Sequence, residues 1–173
     1  EFTLTSPAQS PEPVVPWKTI VASVEPFLLA VNQQLRDQVG AFEPQISRYA
    51  RYALSRQGKQ LRPALVALSG GATGQPGGAH VEVAVIIEMV HLATLVHDDI
   101  MDEACVRRGQ PTLAAKWGNE IAVLLGDCLF AQALHLAAGF PTTEICRAVS
   151  AATNTVCAGE ILQTQARHNV KLS

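Results

Sequence analysis

Asp98, Asp99 and Asp102 form the densest group of chemically capable side chains in this chain of 173 residues. On a helix Asp98 and Asp102 stand at i and i+4, so their carboxylates project from one face a turn apart, with Asp99 beside them. Like charges at that spacing destabilise an isolated helix by roughly 0.2–0.5 kcal/mol, and by more when partly buried. A hard divalent cation compensates them, because Mg2+ takes oxygen ligands from one or two carboxylates, water and substrate phosphates. The plainer reading is a solvated helix end. Against it, acids at a C-terminus oppose the helix dipole, and this cluster closes a core-like apolar run.

Cationic groups recur at three places: Lys59 with Arg62, His91, and Arg107 with Arg108. Arginine offers a planar fork suited to phosphate oxygens, and lysine a compact point charge. Acids for a metal together with bases for phosphate point to a diphosphate substrate. Taken singly, Arg107-Arg108 reads as surface charge and His91 on an apolar helix as a satisfied core histidine. His97, next to the acids, either supports them or is structural.

Helices must position these groups. Trp17, Ile20, Val21, Val24, Phe27, Leu28, Val31 and Leu35 follow the i, i+3, i+4, i+7 spacing of an amphipathic helix, which Pro26 is expected to kink or restart. A second helix is expected from about Pro44 to Gln57, ended by Gly58. Pro63 suits the first turn of a third, kept short by Gly70-Gly71, Gly74 and Gly77-Gly78. The longest apolar periodic segment, Ala79 to about Ala104, reads as a core helix with the acids at its wet tip. Further helices are expected from about Gly118 to Ala138 and from about Thr142 to Arg167, with no strand and no repeat.

The chain is 48% hydrophobic and 16% charged with net charge −2, the profile of one globular domain with no call for a nucleic-acid partner. Cys105, Cys128, Cys146 and Cys157 form no CxxC pair, so buried free thiols in a reducing compartment are expected, and with them a cytoplasmic setting. No uninterrupted apolar run reaches the roughly 18–20 residues of a transmembrane segment. Thr3 to Pro16 is Pro-, Ser- and Thr-rich and is expected to be a flexible lead-in, so residues 1–16 stand apart from a helical domain over 17–173. Glu1-Phe2 is what a common cloning site encodes, and those residues are read as a vector remnant.

Gly58-Lys59-Gln60-Leu61-Arg62-Pro63, the stretch from Glu88 to Glu103, Arg107-Arg108-Gly109 and Gly126-Asp127 together resemble the trans-polyprenyl diphosphate synthases over roughly Trp17 to the end. The resemblance implies an all-α antiparallel helical bundle of the isoprenoid synthase type. It implies that Lys59, Arg62, His91 and Arg108 bind isopentenyl diphosphate. Asp98 and Asp102 would be the Mg2+ ligands that bridge to the allylic diphosphate, with Arg107 on that same substrate. The implied reaction ionises the allylic diphosphate, joins the cation to the isopentenyl double bond and releases a proton. Product length in the family depends on bulk just upstream of the acids. Here Ala93 and Thr94 are small, which resembles the long-chain (octaprenyl-type) synthases. A homodimer is the family's usual assembly.

A complete member carries a second aspartate-rich motif and a Lys-Thr pair further on, and this sequence has no Asp-Asp pair other than Asp98-Asp99. The expectation is therefore the N-terminal half of a synthase, a fragment inactive alone. A subunit of a split or heteromeric synthase is the alternative. A terpene cyclase-like relative shares the fold but lacks a reason for the Gly58 to Pro63 motif. A helical interaction domain leaves the register of acids and bases unexplained.

Overall fold

A computed structural model describes residues 16–55 and 58–166. Seven helices dominate it: α1 (Trp17–Gly40), α2 (Pro44–Leu54), α3 (Leu61–Thr73), α4 (Gly78–Met101), α5 (Leu113–Trp117), α6 (Asn119–Ala138) and α7 (Glu144–Ala166). The lead-in over residues 1–15, the expected end of the second helix at Gln57 and that of the last at Arg167 lie outside the described residues.

Helix α4 is the hub, packing on α6 most extensively and then on α3 and α1. Its buried positions Ala84, Val85, Ile86, Met89, Leu92, Ala93 and Val96 meet Val31, Leu35 and Val39 of α1 and Ala122, Leu125, Leu129 and Ala133 of α6 in one core. Leu35, Ile86, Met89 and Leu129 are fully enclosed, each worth about 1.5–3 kcal/mol in side-chain burial. Helices α4 and α6 are each long and apolar enough to cross a membrane by length and composition, and they pack against one another in this core. The apolarity of α4 is broken at Glu82, Glu88 and His91, so no uninterrupted run reveals it.

The helices expected from periodicity and the all-α bundle implied by the resemblance are what form, with local differences. Helix α1 runs through Pro26 without restarting; Pro26 and Ala22 both lie on its exposed side, where the carbonyl freed by the missing N–H meets water. Helix α3 likewise runs through Gly70-Gly71 to Thr73. Gly70 is buried, and a Cβ there would stand 2.9 Å from the His80 ring of α4, so this glycine serves a close approach instead of a break. The four cysteines are free, but none is buried: Cys105 and Cys157 are exposed, Cys128 and Cys146 half-buried.

The expectation of no strand is corrected by β1 (Val106–Arg107) and β2 (Gln110–Pro111), an antiparallel pair with Val106 opposite Pro111 and Arg107 opposite Gln110. Arg108 and Gly109 between them have φ of 51° and 77°, as a two-residue type I′ turn requires. Two-residue strands are too short to show a period of two, and Arg-Gly is not among the usual residue pairs of such a turn. Helix α5, also unforeseen, starts at Thr112, whose buried hydroxyl donates to Ala104 O (2.7 Å) and accepts from Ala115 N (3.1 Å).

Helix α7 has no buried residue. Val156, Ile161 and Leu162 on it, Leu124 and Leu134 on α6, and Leu61 and Leu65 on α3 are exposed.

Candidate functional site

Two cavities of different character lie beside helix α4, bridged by a third lined by Arg62, His91, Thr94, Val156 and Cys157 among others. One, of about 130 Å³, is lined by Lys59, Arg62, His91, Arg107 and Arg108, together with the carboxylates Glu88 and Asp99. The other, an open groove of about 700 Å³ between α4, α6 and α7, is lined by Thr94, Asp98, Met101, Val123, Phe130, Val156, Glu160 and Ile161 among others.

Three chain segments build the basic cavity. The first is the approach to α3, with Gly58, Lys59 and Gln60 before Arg62 in the first turn. Gln60 is left-handed (φ 52°, ψ 41°), and its amide is paired with that of Asn32 on α1. The second is α4, which presents Glu88, His91, Leu95 and Asp99 along one stripe. The third is the hairpin, which carries Arg107 on β1 and Arg108 at the turn. Tyr52 of α2 donates to Pro111 O (2.8 Å) and fixes its return strand. The Tyr52 ring also meets Trp117 edge-on at 4.8 Å, and Lys116 Nζ lies 4.4 Å from its centroid. Hairpin, α2 and α5 are thus held together.

Close approach requires glycine at two points. A Cβ on Gly58 would lie 2.8 Å from Nη1 of Arg108 and closer still to Nη2. On α6, a Cβ on Gly126 would meet the His97 ring at 2.5 Å from Cδ2 and 2.7 Å from Cε1. His97 Nε2 there lies 3.1 Å from Val123 O and 3.6 Å from Asp127 Oδ1. His97 therefore ties α4 to α6, and the Gly126-Asp127 pair makes room for it and partners it.

Electrostatics differ across α4. Burial, and then Arg62, Arg108 and Arg107 in that order, lower the pKa of His91 to about 4, leaving a neutral imidazole among cations at neutral pH. Burial raises Glu88, against the opposing pull of Arg62. Arg107 Nε donates to Asp99 Oδ1 at 2.6 Å, with the aspartate side chain 6% exposed. Asp98 is raised, first by burial and then by the negative charges of Glu160 and Asp102, with Arg107 opposing. Asp102 is the exposed C-cap of α4, its N–H donating to Asp98 O at 2.8 Å.

Lys59, Arg62, His91, Arg107 and Arg108 are thus brought to one cavity, and Asp98 to the other, with Asp102 beyond the helix end. Arg107, implied to contact the allylic diphosphate, is bonded to Asp99 and acts by charge on Asp98 as well. Thr94 lines the groove, whereas Ala93 is fully enclosed in the core. Sequence reasoning gave no individual role to Glu88, Asn32, Gln60 or Glu160, and put Asp99 with the metal acids, not with Arg107. Glu88, Asn32 and Gln60 are ordinary polar positions until the fold brings their partners near, and Glu160 gains meaning only when α7 lies across the groove from Asp98.

No group of three or more His, Cys, Asp or Glu side chains is arranged to hold a metal among the described residues. The donor chemistry nevertheless fits Mg2+: Asp98 carries negative neighbours that a cation would relieve, and this ion needs only one or two carboxylates when phosphate oxygens and water complete its shell.

The profile of the polyprenyl synthetase family matches residues 43–173. The octaprenyl diphosphate synthase of Escherichia coli (strain K12) is 35% identical over 136 residues, covering 79% of this chain and 42% of that protein. A decaprenyl diphosphate synthase from Rhodobacter capsulatus superposes with a TM-score of 0.86 at 31% identity, over 91% of this chain and 49% of that one. A polyprenyl synthase from Caulobacter crescentus CB15, solved with calcium and isoprenyl diphosphate, gives 0.84 at 29% identity, over 90% of this chain and 48% of that one. The chain thus spans less than half the length of these relatives. A matching profile over most of its length and a shared helical fold agree with the site's two-sided chemistry, and the chain belongs to the polyprenyl synthetase family.

Proposed function

We propose that this chain supplies the isopentenyl diphosphate pocket and the first metal-binding acids of a prenyltransferase that extends a long trans-polyprenyl diphosphate. The observation that carries this reading is the convergence of Lys59, Arg62, Arg107 and Arg108 around neutral His91, joined through a cavity lined by Arg62, His91 and Thr94 to the apolar groove that holds Asp98. Lys59, Arg62 and Arg108 bind the isopentenyl diphosphate by charge, and His91 donates or accepts a hydrogen bond without adding a cation. The groove takes the allylic chain, whose apolar walls exclude water from a carbocation.

The allylic C–O bond breaks and the diphosphate leaves with the electron pair. The isopentenyl double bond attacks the cation, a C–C bond forms, and a proton passes from the isopentenyl unit to the departed diphosphate. Asp98 and Asp102 would hold Mg2+, which supplies charge neutralisation at the departing diphosphate. Arg107, oriented by Asp99, adds fixed positive charge near it. The relatives named for eight- and ten-unit products and the small side chain of Thr94 support a long product. The four free cysteines fit a reducing, cytoplasmic setting.

The test is Asp98→Ala in the full-length protein, assayed for chain elongation from isopentenyl and allylic diphosphates. Turnover should be abolished with helical content unchanged by circular dichroism. Retained turnover would remove Asp98 from the mechanism.

A further inference from the structure

Lys59 and Arg62 are both exposed, and long exposed side chains cannot be preset on their own. What can be preset is the backbone from which they leave. Between them stands Gln60, whose φ of 52° and ψ of 41° place it in the left-handed region, where a residue other than glycine persists only if its surroundings hold it. Its side chain does not cap α3. It turns back to α1, where Asn32 Nδ2 donates to Gln60 Oε1 at 3.1 Å and Gln60 Nε2 donates to Asn32 Oδ1. Both side chains are half-buried, and the two residues are 28 positions apart.

We infer that Asn32 and Gln60 are positioning residues, a reciprocal amide lock that fixes the Gly58–Gln60 backbone so that Lys59 and Arg62 face the diphosphate cavity. This rests on the diphosphate reading above. A pair of neutral amides suits the task, since it orients the loop without placing charge beside the cations or competing for the anion. Gln60 also borders the cavity, so direct contact with the ligand is the rival role.

The full-length protein, free of divalent cations, is titrated calorimetrically with inorganic pyrophosphate. Gln60→Asn tolerates the left-handed conformation but is one methylene too short to reach Asn32, and binding should weaken about ten-fold through lost preorganisation. Asn32→Leu, which leaves the loop sequence untouched, should weaken it similarly. The exchanged pair Asn32→Gln with Gln60→Asn restores the total reach and should recover wild-type affinity within about two-fold.

Circular dichroism should be the same for all variants. Wild-type affinity in Gln60→Asn, or an exchanged pair as weak as Gln60→Asn, overturns the lock. If Arg62→Ala abolishes binding while Gln60→Asn leaves it unmoved, the lock fails and the diphosphate reading stands. No binding by the wild type overturns both.

Discussion

Arg107 Nε and Asp99 Oδ1 stand 2.6 Å apart, joining the β1 strand to the last turn of α4 through an ion pair whose acid is almost wholly enclosed. Of two adjacent aspartates, one is therefore committed to an arginine and the other faces the groove. Asp99→Asn keeps the shape and removes the charge. It should destabilise the fold by about 1.5–3 kcal/mol, the range for hydrogen bonds to charged groups, read as a lower urea midpoint with unchanged slope. An unchanged midpoint would show that the pair contributes nothing.

Asp98 should behave in the opposite sense. Its carboxyl is raised in the fold by burial and by Glu160 and Asp102, so the folded state holds the proton more tightly than the unfolded chain. The stability it contributes is complete below the ordinary carboxylate range and is lost as pH rises through the raised value. Asp98→Asn, always neutral, should melt higher than the wild type at pH 7 without divalent cations. The two should converge in acid, and a gap that persists there would remove charge repulsion as its cause.

For His91 the window lies higher. Its pKa falls from 6.5 to about 4 on folding, so the stability it contributes is present above 6.5 and is lost as pH falls toward 4. His91→Gln should flatten this part of the profile when unfolding free energies are measured from pH 7.5 to 4.5. Parallel profiles would mean that the pKa of the histidine does not change on folding.

Bulk at positions 93 and 94 should have separate consequences. On the prenyltransferase proposal, Thr94→Phe enters the groove and should shorten the product of chain elongation at little cost in melting temperature. Ala93→Phe is forced into a packed core and should cost about 1–3 kcal/mol or more. Equal product lengths in wild type and Thr94→Phe would place the growing chain elsewhere.

The two close-approach glycines also part company. Gly126→Ala meets an imidazole ring held between helices, and should destabilise by about 1–3 kcal/mol with loss of the Val123 contact. Gly58→Ala meets only the far end of Arg108. Its stability should hold while pyrophosphate affinity drops, and comparing both quantities in each variant checks the contrast.

Helix periodicity made most of the bundle legible, because a stripe such as Val31, Leu35 and Val39 records which face is buried. Residue type and order likewise marked the cations at 59, 62, 107 and 108. Local rules misled where tertiary contact decided the outcome, as at Gly70, which looked like a breaker and is a packing site against His80. The hairpin escaped because its strands are two residues long. The pairings of Asp99 with Arg107 and of Gln60 with Asn32 escaped for a different reason: a side chain's partner at 8 or 28 residues' distance leaves no trace in its own type.

The guanidinium of Arg108 occupies the space where any side chain at position 58 would begin. Residues 58 and 108 are consequently a single unit of transplantation: a hairpin grafted from a relative works only if the segment before α3 is carried with it, and libraries that vary one position while fixing the other will sample mostly mismatched pairs.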